Sequence, residues 1–286
     1  MASGEMGPLR ARGWRSDHQL WIEVFVLLNF AGLVADIFLA HSVNQFRRQS
    51  EYVPLIFSVI ASALLVVIVP LRHRLPAVWR DVGHLIGWLS VIVGLAGVVL
   101  HLDSQFFYER TLRSLTYAAP FAAPLAYTGL GLLLIANRLV DPQAAEWPQW
   151  VLLLTLGGFI GNFVFSLTDH AMNGFFNPLE WVPVVSSACA IAVLFVPFVM
   201  TVDVHYLWLS ASVLAIQGLV GVIGFALHAA ADFRQPGVSL FERILNGAPP
   251  MAPLLFPNLV VLGWIGLRVL FRQAAGRTLT VGRRID

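Results

Sequence analysis

The fold of this chain is decided by the stretch His41-Ser42-Val43-Asn44, with Phe46 and Glu51-Tyr52-Val53-Pro54 close behind it. The same pattern returns 129 residues later as His170-Ala171-Met172-Asn173, Phe175 and Glu180-Trp181-Val182-Pro183. A recurrence of this kind indicates an internal repeat, so the sequence predicts a tandem duplication. The polar residues that recur are mainly His and Glu, in a chain that is otherwise strongly apolar.

A second match supports the repeat. Glu109-Arg110, with Ala119-Pro120 and Pro124 after it, returns 133 residues later as Glu242-Arg243 with Ala252-Pro253 and Pro257. Between the two matches, His101 corresponds to His228. The two halves of the chain are therefore expected to have the same architecture.

The composition identifies an integral membrane protein. Hydrophobic residues make up 58% and charged residues 12%, whereas a soluble domain carries roughly 25% charged residues. All 18 basic residues are Arg, which excludes a Lys Schiff base to retinal or pyridoxal phosphate. The single cysteine, Cys189, excludes disulfides and thiolate metal clusters. The predicted partners are the lipid bilayer and, as open alternatives, other membrane subunits or a lipid-soluble redox carrier, with no nucleic acid.

The apolar stretches predict the fold class. Each approaches the ~20 residues that a helix needs to cross the hydrocarbon core, and helices are favoured because the bilayer offers backbone groups no other partner. We predict an all-α integral membrane protein whose eight transmembrane helices come from a tandem, parallel duplication of a four-helix unit, with a pseudo-two-fold axis along the membrane normal. The predicted spans are 20–41, 53–71, 83–101, 115–136, 148–168, 181–201, 206–229 and 251–271.

The domain boundaries follow from these spans. We predict a cytoplasmic N-terminal segment (1–19), a first four-helix repeat (20–140), a second four-helix repeat (145–272) and a cytoplasmic C-terminal tail (273–286). The longest loop, about 230–250, is expected to carry a short interfacial helix through 239–245. Glycines within the spans, such as Gly94 and Gly129, suit close helix packing.

The arginines predict the orientation. With the N-terminus in the cytoplasm, twelve arginines fall on the cytoplasmic side and six on the other, so the positive-inside rule places both termini in the cytoplasm. The predicted location is a bacterial cytoplasmic membrane. The cytoplasmic set is Arg10, Arg12, Arg15, Arg72, Arg74, Arg80, Arg138, Arg268, Arg272, Arg277, Arg283 and Arg284, and the outer set is Arg47, Arg48, Arg110, Arg113, Arg234 and Arg243.

Under this topology the repeated polar residues share one membrane boundary. Histidines end the odd-numbered spans and glutamates begin the even-numbered ones. Imidazole nitrogen and carboxylate oxygen together are ligands for Fe, Mn, Zn or Cu, and two facing histidines could instead ligate a haem. One site on the pseudo-axis and one site in each half are both open. The candidate ligands are His41, Glu51, His101, Glu109, His170, Glu180, His228 and Glu242.

Further polar residues near these ligands are candidates for a second shell or a proton path. Asp36 lies inside the first span, and its repeat counterpart is Phe165, so its role belongs to one half only. A structural role for the whole set is the competing interpretation, because Glu at helix starts and His at helix ends both favour the helix dipole. The remaining candidates are Asn44, Asn173, Asp103, Asp232, Arg110 and Arg243.

Three functions remain open from the sequence. The first is a membrane-bound, metal-dependent oxidoreductase, because ligand-type residues recur on one side. The second is a small transporter for metal ions or protons, although only Asp36 lies deep in the membrane. The third is a non-catalytic assembly subunit of a larger membrane complex, held by the Glu-Arg pairs. No catalytic residue can be assigned.

Overall fold

The structure, a computed structural model, describes residues 17–234 and 239–282. Within these ranges the chain forms α-helices and short 3-10 turns and contains no strand. The arginines predicted at positions 10, 12, 15, 283 and 284 lie outside the described residues. The first half has helices α1 (His18–Ser42), α2 (Tyr52–Ile68), α3 (Pro76–Leu102), α4 (Phe106–Glu109), α5 (Leu112–Tyr117) and α6 (Leu125–Leu139). The second half has α7 (Trp147–Met172), α8 (Trp181–Val199), α9 (Val204–Arg234), α10 (Leu240–Asn246) and α11 (Leu255–Gly282).

Seven helices in the described part of the chain are long and apolar enough to cross a membrane: α1, α2, α3, α7, α8, α9 and α11. The prediction of an all-α membrane protein is therefore confirmed. Much of the apolar surface of these helices is exposed, as on Leu28 and Ile92. Apolar side chains exposed along long helices fit a bilayer environment.

The predicted span 115–136 is not one continuous helix. Helix α5 ends at Tyr117, and α6 begins only at Leu125. Pro120 and Pro124 explain the break, since a proline removes a backbone donor and disfavours helical geometry in the residue before it. Helix α6 has 15 residues, so at a rise of ~1.5 Å per residue it covers only about 22 Å of a core ~30 Å thick.

The loop helix predicted through 239–245 is present as α10. Ser239 is its N-cap, and the Ser239 hydroxyl accepts the backbone N–H of Glu242 while the Glu242 carboxylate accepts the backbone N–H of Ser239. This is a capping box, which satisfies two amides that would otherwise lack partners at a helix start. The Ser-x-x-Glu spacing therefore accounts for where α10 begins.

Helices pack most extensively within each half, α3 along α6 and α7 along α8 and α11. Between the halves, α6 contacts α7 and α1 contacts α11. At the α1–α11 contact, the side-chain amides of Asn29 and Asn258 exchange hydrogen bonds of 3.1 and 2.5 Å. Interhelical amide bonds of this kind hold helices together where the surrounding solvent is itself apolar.

Close approach of α3 to α6 depends on Gly94. A Cβ atom at this position would meet the backbone carbonyl oxygen of Pro124 at 2.9 Å and the backbone nitrogen of Thr128 at 2.7 Å. By contrast, a Cβ atom at Gly129 would meet nothing within 4 Å. The prediction that glycines mediate close packing is thus confirmed at Gly94 and wrong at Gly129.

Candidate functional site

The structure brings three predicted ligands of the first half together. His41 lies in the last turn of α1, Glu51 directly precedes α2, and His101 lies in the last turn of α3. The His41 Nδ1 atom is 3.8 Å from Glu51 Oε2. The His41 and His101 rings lie edge to face with centroids 6.3 Å apart. We call these three residues the first His–Glu group.

The second half assembles the equivalent residues. His170 lies in the last turn of α7, Glu180 directly precedes α8, and His228 lies on α9. The His170 Nδ1 atom is 3.7 Å from Glu180 Oε2. His170 and His228 line one cavity together with Asp169. These residues, His170, Glu180 and His228, form the second His–Glu group.

A strained turn sets the position of each His–Glu pair. After α1 the backbone N–H of Phe46 donates to the His41 carbonyl at 3.2 Å, and after α7 the N–H of Phe175 donates to the His170 carbonyl at 3.1 Å. Phe46 has a φ of 48° and Phe175 a φ of 50°, in the left-handed region that non-glycine residues rarely adopt.

Each strained phenylalanine packs its ring between aromatic neighbours. Phe46 stacks on Tyr52 at a centroid distance of 4.6 Å, and Phe175 stacks on Trp181 at 4.0 Å. The same two rings lie 5.8 Å from His41 and 6.1 Å from His170, respectively. A left-handed backbone at a bulky residue costs about 1–3 kcal/mol.

The hydrogen bonds of His101 and His228 fix their tautomers. The Nδ1 atom of His101 lies 3.0 Å from the carbonyl oxygen of Pro120, and that of His228 lies 2.9 Å from the carbonyl oxygen of Pro249. A carbonyl only accepts, so Nδ1 is the protonated nitrogen in each ring. In the neutral ring Nε2 then carries the lone pair, as in histidines that ligate metals through Nε2.

The two glutamates of the groups each have one oxygen with no hydrogen bond. Glu51 Oε2 and Glu180 Oε2 are both buried and have no hydrogen-bond partner among the described residues. Their separations from histidine, 3.8 and 3.7 Å, exceed the N–H···O hydrogen-bond range of about 2.7–3.2 Å. A buried carboxylate oxygen without a hydrogen-bond donor is energetically costly.

The eight predicted ligands do not come together as one set. Among the described residues, no hydrogen bond, ion pair or ring contact joins the first His–Glu group to the second. Nor do any three His, Cys, Asp or Glu side chains in the described ranges already form a cluster able to hold a metal ion. Of the two alternatives that the sequence leaves open, one site shared by all eight residues is not formed among the described residues, and one site in each half stays a prediction.

Among the described residues, neither Glu109 nor Glu242 forms a hydrogen bond or an ion pair with either His–Glu group. Glu109 is exposed at the end of α4, next to Arg110, which has a left-handed backbone. The hydrogen bonds from the backbone and hydroxyl of Ser239 lower the pKa of the Glu242 carboxyl, because they favour its ionised form. Arg243 donates to the Phe233 carbonyl oxygen at 3.1 Å. These contacts give Glu242 and Arg243 a structural task at α10.

Asp232 has a structural contact of its own. Its side chain is buried, and Oδ1 accepts the backbone N–H of Ala248 at 2.9 Å. This bond ties the loop after α10 back to α9. The same loop carries Pro249, whose carbonyl oxygen accepts the hydrogen bond from the His228 ring. Asp232 therefore helps to position His228 indirectly, through this loop.

The other polar residues predicted to lie near the ligands occupy helix ends and one helix interior. Asn44 and Asn173 lie in the turns that follow the histidines and donate their backbone N–H to the carbonyl oxygens of His41 and His170. Asp103 is the C-cap residue of α3. Asp36 is half-buried in α1 and is close enough to Tyr127 for an electrostatic interaction. The proton path through Asp36 stays a prediction.

A cavity of about 290 Å³ adjoins the second group. Its polar residues are Ser166, Asp169, His170 and His228, and the rest of its wall is mainly apolar. Val182 and Leu227, from α8 and α9, line the cavity and are also about half exposed. The cavity therefore combines a polar end with an apolar wall that reaches the surface of the helix bundle.

Sequence reasoning missed a buried polar network at the other end of the first half. Arg138 Nη2 donates to Glu23 Oε2 at 2.9 Å, and both side chains are 0% exposed. Asn137 donates to the second Glu23 oxygen at 2.9 Å. The Arg138 guanidinium also lies over the Trp79 ring at 4.6 Å. The sequence analysis used Arg138 only as one of the twelve cytoplasmic arginines. The signal that could have revealed the network is an acidic residue, Glu23, within an apolar span.

Comparisons with protein-family models, with characterised proteins and with solved structures find no match to this chain.

Proposed function

We propose that this chain is an eight-span membrane protein, built by duplication of a four-helix unit, that binds one redox-active transition metal ion in each half. The single observation that carries the proposal is the repeated His–Glu spacing, 3.8 Å in the first group and 3.7 Å in the second. Two ligands that each lie about 2.0–2.2 Å from a metal ion at an angle of about 110–120° are about 3.3–3.8 Å apart.

The second histidine of each group is the proposed third ligand. In the first group the two ring centroids are 6.3 Å apart. When an imidazole nitrogen ligates, its ring centroid lies about 3.2 Å from the ion, so at a ligand angle of about 110–120° two such centroids are about 5.2–5.5 Å apart, and the two rings would approach by about 1 Å to share an ion. Two imidazoles and one carboxylate form the ligand set of zinc hydrolases and of non-haem iron sites.

Reciprocal packing supports the duplication. The contact of α6 with α7 has its counterpart in the contact of α11 with α1, as a two-fold axis between the halves requires. In this proposal α5 and the following loop complete the fourth crossing together with α6. Both termini face the cytoplasm, in keeping with the distribution of arginines.

A redox role for the bound ion is part of the proposal. Zinc has no redox chemistry, whereas Fe, Mn and Cu accept the same nitrogen and oxygen ligands and change oxidation state. Since the groups lie at the helix ends, an electron donor would reach them from the water phase or from the lipid. A protein that takes up only zinc would retain the two sites and lose the redox role.

The test is the metal content of the purified full-length protein after incubation with Fe(II), Mn(II), Cu(II) or Zn(II) and removal of the excess. We expect two equivalents per chain, one after His41→Ala or His170→Ala, and none in the double variant. His205→Ala is the matched control, because His205 is exposed and, among the described residues, pairs only with Asp203. An unchanged metal content in the double variant would refute the assignment.

A further inference from the structure

The second His–Glu group differs from the first in having an additional carboxylate. Asp169 lies beside His170, lines the cavity and interacts electrostatically with both His170 and His228. The corresponding residue of the first half is Ala40. Asp169 forms no hydrogen bond or ion pair with any residue in the described ranges, so its oxygens are available to a ligand.

The cavity has the form of a site for an amphiphile. At about 290 Å³ it is near the lower end of the range of small-molecule pockets, roughly 300–1,000 Å³. Phe165, Val220 and Phe256 contribute to its apolar wall. Val182 and Leu227 are 45% and 51% exposed, so a tail could leave the cavity between α8 and α9 toward the lipid.

The polar end restricts the head group. Asp169 would repel an anionic head, and a metal ion or a protonated imidazole at His170 and His228 would repel a cationic one. A neutral hydroxyl can donate to the Asp169 carboxylate. Hydrogen bonds to an ionised acceptor are also stronger than those between neutral groups.

We propose that this cavity binds a neutral, lipid-soluble molecule with a hydroxyl head group, either a quinol or an isoprenoid alcohol, with its head at Asp169 and its tail directed between α8 and α9. The inference rests on the proposed function, because His170 and His228 serve in both, and it names the substrate class of the second site. The first group has no counterpart of Asp169 and is not assigned this ligand.

The test is calorimetric titration of the purified full-length protein in detergent with three probes. A short-tailed quinol and farnesol carry the hydroxyl, whereas the quinone form of the first probe has the same ring without hydroxyl donors. We expect saturable binding of the quinol, of farnesol or of both, which identifies the source of the hydroxyl, and about tenfold or more weaker binding of the quinone. Asp169→Ala should weaken binding by a similar factor.

Bulky substitutions at the opening provide matched controls. Leu227→Trp and Val182→Trp narrow the cavity from opposite sides, and each should abolish binding. Leu100→Trp and Val53→Trp are the equivalent changes in the first half, since these residues occupy the same repeat positions and are also exposed, and both should bind like the unmodified protein.

Three outcomes would overturn the inference: no saturable binding of either hydroxyl probe, binding of added phospholipid alone, or unchanged binding in both cavity variants. Metal analysis of the same preparations separates the two proposals. Binding of a hydroxyl probe without any metal uptake would refute the metal sites and keep the cavity assignment, and two metal equivalents without probe binding would do the reverse.

Discussion

Replacement of Glu23 by leucine should destabilise the protein strongly, because it leaves Arg138 buried without its counter-ion. Both side chains are 0% exposed and are joined by a 2.9 Å bond, so solvent does not screen the pair. Removal of one partner of a buried ion pair costs about 3–5 kcal/mol. Arg138 retains hydrogen bonds to the carbonyl oxygens of Trp79 and Leu134, which places the expected loss near the lower limit, at about 3 kcal/mol.

The second half of the chain shows which second substitution should offset the loss of stability caused by Glu23→Leu. At the repeat positions of Glu23 and Arg138 it has Leu152 and Phe271, both of which belong to one apolar cluster. Replacement of a buried ion pair by apolar residues of similar volume is often neutral or stabilising. The double variant Glu23→Leu/Arg138→Phe should therefore recover at least about 2 kcal/mol of the loss caused by Glu23→Leu alone.

The assay is reversible unfolding by SDS in mixed micelles, followed by helical circular dichroism, with both single variants and the double variant measured side by side. Arg80→Ala is a suitable control, since the Arg80–Asp81 pair is more than half exposed and should contribute about 0–1 kcal/mol. The reasoning fails if Glu23→Leu leaves the free energy of unfolding unchanged, or if the double variant is no more stable than additive single losses predict.

Three further predictions concern the backbone and α10. Gln45 has a left-handed φ of 57°, and its repeat counterpart is Gly174 with a φ of 70°, so Gln45→Gly should raise the free energy of unfolding by about 0.5 kcal/mol and Gly174→Ala should lower it by about 1 kcal/mol in the same SDS assay. Gly94→Ala should lower the free energy of unfolding by about 1–3 kcal/mol because of overpacking, and Gly129→Ala should raise it by up to about 1 kcal/mol. Equal effects of the two substitutions would contradict the packing argument. The pKa of Glu242 is depressed below its ordinary value of 4.5, so its cap on α10 is fully present above that value and is lost as pH falls through the lower folded pKa. Hydrogen exchange should show this loss in α10 and not in α5, whose cap has no titratable group.

The sequence was sufficient to predict the helical membrane class and the pairing of histidine with glutamate. Period and length determine spanning helices, and Glu51 follows His41 closely enough for a short turn to bring them together. The break before α6 could have been predicted from Pro120 and Pro124, which stand within an otherwise apolar run.

Other features depended on tertiary packing. Nothing local shows that Glu23 meets Arg138, because they are separated by 115 residues and join α1 to α6. The position of Glu242 relative to the histidines was equally inaccessible, since a glutamate three residues after Ser239 suits a capping box as well as a ligand. The direction of the loop decides whether Glu242 caps α10 or faces the histidines, and that direction cannot be read from the composition.

The recurrence of the His–Glu pair bears on the choice between ligation and helix-end electrostatics. Shared ancestry alone would explain two histidines and two glutamates. A favourable interaction with the helix dipole, however, requires only that each charge lie near a helix end, and it sets no distance between the two side chains. The distances nevertheless agree, at 3.8 and 3.7 Å, and in both halves the turn is strained at the same phenylalanine. Meanwhile other paired positions have diverged, as Ala40 and Asp169 have. Metal content distinguishes the two interpretations more directly than any measurement of stability does, because only ligation predicts a bound ion.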